Sequence, residues 1–168
     1  MDIIIRPAKE KDLNSIIAIE GKCFPKTEAA TAKSLTERLK AFEYSFLVAE
    51  KADEIVGFIN GCVTQKRKLI DELYESTKLH DDDAPNQMVF GLAVSPDHQH
   101  QGVASLLMDD FIVRAKKQQK KLITLTCKER LIPFYEQFGY KNEGESTSAH
   151  GGVRWYDMTL FLDAIQGQ

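Results

Sequence analysis

Paired cysteines and long apolar runs, two features that organise many small proteins, are both missing from this chain. Its three cysteines, Cys23, Cys62 and Cys127, are far apart and form no CxxC pair, so neither a disulfide framework nor a zinc site is indicated. No apolar run approaches the ~20 residues that a membrane-spanning helix needs. The opening Met1-Asp2-Ile3-Ile4-Ile5-Arg6-Pro7 lacks the charged region and long apolar stretch of a secretion signal. A cytoplasmic protein without membrane association is the expectation. There is little excess charge either: a net charge of -3 and a pI near 5.8 argue against a nucleic-acid partner, which a protein binds by neutralising phosphates. Lys116, Lys117, Lys120 and Lys121 form a local basic run, read as a solvated helix end. The acidic tip Asp81-Asp82-Asp83 has neither the glycine nor the distal glutamate of a calcium loop, so it reads as a solvated turn and no metal is called for.

What is present fits one globular domain spanning residues 1–168. Hydrophobic residues make up 43% and charged ones 28% of the chain, the usual soluble balance. That length suffices for a single sizeable core. Repeats, low-complexity segments and linkers do not occur.

Apolar periodicity predicts a first strand at Ile3–Arg6 ended by Pro7, then a helix carrying Leu13, Ile16, Ile17 and Glu20 on successive turns. Phe24-Pro25 breaks it. A second helix is predicted over residues 31–41 with Leu35 and Leu39 inward, and strands 45–50 and 54–61 form a hairpin across Lys51-Ala52-Asp53. After a polar stretch with a short helix near Leu69 to Tyr74, Met88 to Val94 reads as one continuous central strand. Ser95-Pro96-Asp97 stops it. A helix from Val103 to Ala115 and a strand over Leu122 to Cys127 follow, which makes the two strands a parallel pair if they share a sheet. Leu131 to Phe138 is a short helix closed by Gly139, and strands 141–145 and 153–161 end the chain. The fold class is therefore mixed α/β: a twisted mixed sheet of six or seven strands with helices on both faces.

The segment Gln99-His100-Gln101-Gly102-Val103-Ala104-Ser105 stands between a strand and a helix N-terminus. Backbone N–H groups there lack helical partners and the helix dipole favours an anion, so a pyrophosphate suits the place. Gly102 permits close backbone approach, and Ala104 keeps the first turn uncrowded.

These residues carry a family resemblance. Gln99-x-x-Gly102-x-Ala104, with Leu92-Ala93-Val94 before it and Phe134-Tyr135-Glu136-Gln137-Phe138-Gly139-Tyr140 after it, resembles the motifs of the GCN5-related N-acetyltransferases, and Ile5-Arg6-Pro7-Ala8 with Asp12-Leu13 resembles their opening. Thr126 to Tyr135 and Cys23-Phe24-Pro25 with Glu28-Ala29-Ala30 resemble the arylalkylamine branch and its bacterial relatives. The resemblance implies acetyl-CoA as cosubstrate, its pantetheine along Leu92, Ala93 and Val94 where the sheet splays, and its pyrophosphate on Gln99 to Ser105. Lys128 stands where many members have an asparagine that contacts the coenzyme, and that contact is not carried over.

The reaction so implied moves acetyl directly to the primary amine of a small molecule, arylalkylamine-like or polyamine-like. Such an amine, with a pKa of ~10.4, is about 0.1% neutral near pH 7.4, a handicap of roughly 4 kcal/mol that a base or proton-conducting chain must offset. Tyr135 resembles the family's general acid toward the departing thiolate, and its alternative is an aromatic plug between helix and sheet. A backbone N–H of the Leu92 to Val94 strand would hold the oxyanion. The base is open, because Met88 and Phe90 stand where the arylalkylamine enzymes carry two histidines. Glu28 and His150 are candidates, weighed against a dipole-stabilised carboxylate and a mobile surface histidine; His98 and His100 are read as phosphate-loop residues. Cys127, within an apolar strand, reads as inert packing. Phe24, Pro25, Glu28 and Phe90, with Trp155, are candidates for an apolar acceptor site. A catalytically silent acyl-CoA-binding module and a modifier of protein N-termini or lysines are the alternatives, and monomer or homodimer stays open.

Overall fold

The computed structural model describes residues 2–148 and 150–162, the His150 side chain excepted, and among them are nine strands and five α-helices. They divide between a four-stranded and a five-stranded sheet. Two compact units contain them, Met1–Gly61 with Phe90–Phe111 and Cys62–Val89 with Ile112–Gln168.

In the first unit β1 (Ile3–Pro7), β2 (Phe46–Lys51), β3 (Glu54–Asn60) and β6 (Gly91–Val94) lie in that order, every pair antiparallel. The β2–β3 connection is the two-residue turn Ala52-Asp53, with φ of 50° and 65°. Two consecutive positive φ values give the twist that matches a right-handed hairpin. Helix α1 (Leu13–Cys23) runs past Gly21 and stops where Pro25 forces Phe24 into extended backbone, φ -124° and ψ 143°. Its buried residues are Ile16, Ile19 and Glu20. In α2 (Ala32–Ala41), capped by Thr31 Oγ1 accepting from the Ser34 N–H at 3.0 Å, Leu35 and Arg38 are buried. The predicted Leu39 is half-buried, because an arginine takes the deeper position beside it.

The start of helix α4 (Val103–Lys117) packs on this sheet at Gly57. A Cβ at Gly57 would stand 2.8 Å from the Ala93 carbonyl oxygen, 3.2 Å from Leu107 Cδ1 and 3.4 Å from Val103 Cγ1. Only glycine allows that approach.

The second unit orders its strands β4 (Val63–Thr64), β5 (Asn86–Met88), β7 (Leu122–Cys127), β9 (Tyr156–Phe161) and β8 (Lys141–Glu145). The β5–β7 pair is parallel and the others antiparallel. Helices α3 (Asp71–Glu75) and α5 (Ile132–Glu136) belong here, and Gly139 at φ 101° closes the turn after α5.

The predicted continuous strand 88–94 is two strands. The Val89 N–H donates to the Thr124 carbonyl at 3.0 Å, whereas the next N–H, that of Phe90, donates to the Asn60 carbonyl at 2.7 Å. One residue step therefore exchanges one ladder for the other. An unbroken apolar run conceals such a switch, since both halves are buried strand.

Lys120 also departs from the solvated reading. It is 7% exposed, and its ammonium donates to the carbonyls of Asp82 and Ala84 at 2.5 and 2.9 Å. The acidic tip is thus tied down from beneath while its three side chains stay in solvent. His80 helps: its Nδ1 accepts from the Val63 N–H at 3.0 Å, which leaves Nε2 as the donor to Asp82 Oδ1 at 2.8 Å.

Candidate functional site

The β6 strand offers its two edges differently. Gly91 to Val94 pair with Asn60 to Gly57, and the Ser95 N–H donates to the Val56 carbonyl at 2.8 Å. Alternation along an antiparallel ladder then turns the N–H and C=O groups of Leu92 and Val94 away from β3. The Val94 carbonyl accepts from Gln99 Nε2 at 3.0 Å and from the Cys23 thiol at 3.1 Å. Gln99 therefore ties the loop back onto the strand. Burial, with the Glu20 charge adding to it, raises the Cys23 thiol above its ordinary pKa, so it is a neutral donor.

After the 3-10 turn Pro96–His98, Gln99 is extended, His100 takes φ 63° and Gly102 φ 85°, and α4 begins at Val103. His100, Gln101 and Gly102 are exposed, while Ala104 and Ser105 are half-buried and Val103 is buried. A Cβ on Gly102 would meet no atom within 4 Å. The space beside Gly102, just before the fifteen-residue α4, is thus open, and a helix N-terminus is a place where backbone N–H groups can meet an anion. The sequence did not point to Lys51, on the β2–β3 hairpin, whose ammonium donates to Gln101 Oε1 at 3.1 Å and brings a cation to this loop.

Pro25 and Glu28 share one turn, in which the Glu28 and Ala29 N–H groups donate to the Pro25 carbonyl at 2.8 and 2.9 Å. Glu28 is half-buried and precedes the Thr31 cap, so it lies outside the first turn of α2. Phe24 is half-buried and Pro25 exposed. Phe90 is half-buried and engaged on two sides: its ring tilts against Phe42 at 5.8 Å, and the Arg38 guanidinium stands 4.7 Å from its centroid. Glu20, 6% exposed, accepts from the Ala30 N–H at 2.7 Å and anchors the same segment. Its place at the i+4 position from Ile16, on the buried stripe of α1, was the sequence signal for it.

Tyr135 belongs to the second unit. Its ring meets Phe134 and Tyr140 edge-on at 5.1 and 5.7 Å, and no hydrogen bond from the described residues reaches its hydroxyl. Burial pushes its pKa well above the ordinary phenol value, with Cys127 and Tyr74 adding to the shift. It is a neutral donor at physiological pH. Burial also pushes the Cys127 thiol up to about 11, so a thiolate nucleophile is disfavoured there. The Lys128 ammonium stands 5.9 Å from the Trp155 ring centroid. His150 opens the 3-10 turn His150–Gly152, and its side chain lies outside the described residues. Among the described residues no group of three or more His, Cys, Asp or Glu could hold a metal, and no helix is long and apolar enough to cross a membrane.

A strand that leads into a glycine-bearing loop and a long helix, followed by a further strand and a tyrosine-bearing short helix, defines a known class. The chain belongs to the GNAT acetyltransferase domain family, whose model matches residues 8–162. It is similar to serotonin N-acetyltransferase of Mesocricetus auratus, 28% identical over 109 residues. That match covers 64% of this chain and about half (51%) of the relative's length. The loading GNATL domain of CurA from Lyngbya majuscula has the same fold, with a TM-score of 0.82 and 15% identity over 96% of this chain and 98% of that one. So does yncA of Salmonella typhimurium with its cofactor acetyl-CoA, at a TM-score of 0.72 and 16% identity over 97% of this chain and 95% of that one.

Proposed function

We propose that residues 1–168 act as one acetyl-CoA-dependent N-acetyltransferase domain that acetylates the primary amine of a small molecule, arylalkylamine-like or polyamine-like. The observation that carries this reading is the continuous unit of β6, loop 99–105 and α4. Its strand groups turn away from β3 at Leu92 and Val94, and its loop opens at a helix N-terminus. Acetyl-CoA, bound there, supplies an activated acetyl thioester. The similarity to serotonin N-acetyltransferase supports an amine as the acceptor.

Each residue then has a stated task. The Leu92 backbone groups and the Val94 N–H hold the pantetheine arm, and a strand N–H polarises the acetyl carbonyl. Gln99 to Ser105 hold the pyrophosphate, with Lys51 as a nearby cation. Tyr135, kept protonated by burial, donates to the departing thiolate. Phe24, Pro25, Glu28 and Phe90 border the acceptor, and Glu28 and His150 are the candidate proton acceptors.

The test is turnover of acetyl-CoA against a panel of arylalkylamines, polyamines, peptide N-termini and lysine peptides, following thiol release and product mass. Acetylation of a small primary amine in preference to the peptides is the expected result. Tight acetyl-CoA binding without acetylation of any amine would establish the silent binding module instead.

A further inference from the structure

Asp157 of β9 is a buried carboxylate with a loosely held counter-ion. It is 5% exposed and pairs in register with Thr126 of β7, so the two side chains share one face of the sheet. The Lys68 ammonium stands 3.7 Å from its Oδ2, longer than the ~2.7–2.9 Å of a well-made ammonium–carboxylate hydrogen bond. The Ser146 side chain also bonds the carboxylate. These partners do not offset desolvation: burial holds the Asp157 carboxyl above its ordinary pKa, although Lys68 and Ser146 both act to lower it.

The counter-ion is free to leave. The Lys68 side chain is 51% exposed, against 7% for that of Asp157. Its backbone is fixed independently, because the next residue, Leu69, is 1% exposed and Asn86 Nδ2 donates to the Lys66 carbonyl at 2.9 Å. Rotation of the Lys68 side chain into solvent therefore vacates the volume of an alkylammonium, head and methylene stem, against a carboxylate. The same face reaches toward the proposed acid: the Tyr74 hydroxyl lies 3.3 Å from Thr126 Oγ1, and Tyr74 is an electrostatic neighbour of Tyr135.

We infer that Asp157 anchors one ammonium group of the acceptor, in the place that the Lys68 ammonium holds, and that the acceptor is therefore of the polyamine class. This rests on the acetyltransferase reading. An ion pair with a carboxylate favours the charged form of the nitrogen, and a protonated nitrogen has no lone pair for the thioester carbonyl. The nitrogen on Asp157 is thus not the one acetylated. A second amine in the same molecule is required, which a diamine or polyamine has and a simple arylalkylamine lacks.

Putrescine and butylamine, alike in carbon chain and different by one ammonium, test the anchor. The parent should prefer putrescine. Asp157→Asn, nearly isosteric, should raise the putrescine KM at least about tenfold, while kcat/KM for butylamine and acetyl-CoA affinity by calorimetry stay within about twofold. Lys68→Ala should act in the opposite direction, since it removes a competitor: the putrescine KM should fall about two- to fivefold, the worth of an exposed ion pair. That gain should vanish in the Asp157→Asn background. An unchanged preference for putrescine in a folded Asp157→Asn, or a putrescine KM that does not fall in Lys68→Ala, would overturn the anchor. A parent that acetylates arylalkylamines but no diamine would overturn the anchor and leave the acetyltransferase reading standing. A parent that acetylates no amine would overturn both.

Discussion

Gln99 Nε2 donates to the Val94 carbonyl at 3.0 Å, so one side chain fixes the distance between the end of β6 and the loop that precedes α4. The bond is made at the strand's outer edge, beside the groups assigned to the coenzyme. Gln99→Leu removes it with little change in bulk. A single such bond is worth about 0.5–1.5 kcal/mol, so acetyl-CoA affinity should fall roughly three- to tenfold, measured by calorimetry. Unaltered affinity would show that the loop holds its shape without this tie.

Gly102 contributes differently. At φ 85° an alanine costs about 1–2 kcal/mol of local strain, although its Cβ would touch nothing within 4 Å. Gly102→Ala should therefore weaken acetyl-CoA binding moderately, whereas Gly102→Glu, which adds bulk and negative charge, should abolish it. The comparison separates strain from charge. Equal affinities for the two variants would remove the pyrophosphate from this loop.

Tyr135→Phe keeps the ring and its edge contacts while deleting a hydroxyl that no described residue bonds. Stability and coenzyme affinity should hardly move. The chemical step, measured in a single turnover with a good amine, should slow at least about tenfold, since general-acid assistance is commonly worth ~10²–10⁴. A Phe variant as fast as the parent would return Tyr135 to packing alone.

The raised pKa of Tyr135 also has a stability consequence. Burial favours the neutral phenol in the folded state, so its contribution is complete below the unfolded value near 10 and declines as pH rises above it. Tyr140 is shifted the same way by burial and by Tyr135. Melting temperature should therefore drop above about pH 10, and less steeply in Tyr135→Phe than in the parent.

Cys127 provides a test of direct transfer. Its thiol is 2% exposed and raised to about 11 by burial. Cys127→Ala should retain most activity, at a stability loss of about 1 kcal/mol for the vacated volume. Mass spectrometry of the parent quenched during turnover should find no acetylated Cys127. An acetylated thiol that deacetylates on adding amine would establish a covalent route.

Much of this protein was legible in its sequence because the signals are local. The period of Leu106, Leu107 and Phe111, the strand-stopping Ser95-Pro96, and the spacing of Gln99, Gly102 and Ala104 require only neighbouring residues, and they point to strand, loop, helix and family. The aromatic cluster around Tyr135 is likewise encoded within a few positions. What only the tertiary structure decided depends on partners distant in the chain. The apolar run 88–94 does not say that its ladder changes partner between Val89 and Phe90, because a strand buried in either sheet has the same composition. The burial of Lys120 follows from two carbonyls 36 and 38 residues away. Asn60, Glu20 and Gly91 look unremarkable on strand end, helix and strand start. Only register and helix packing bring these three segments within 4 Å of one point.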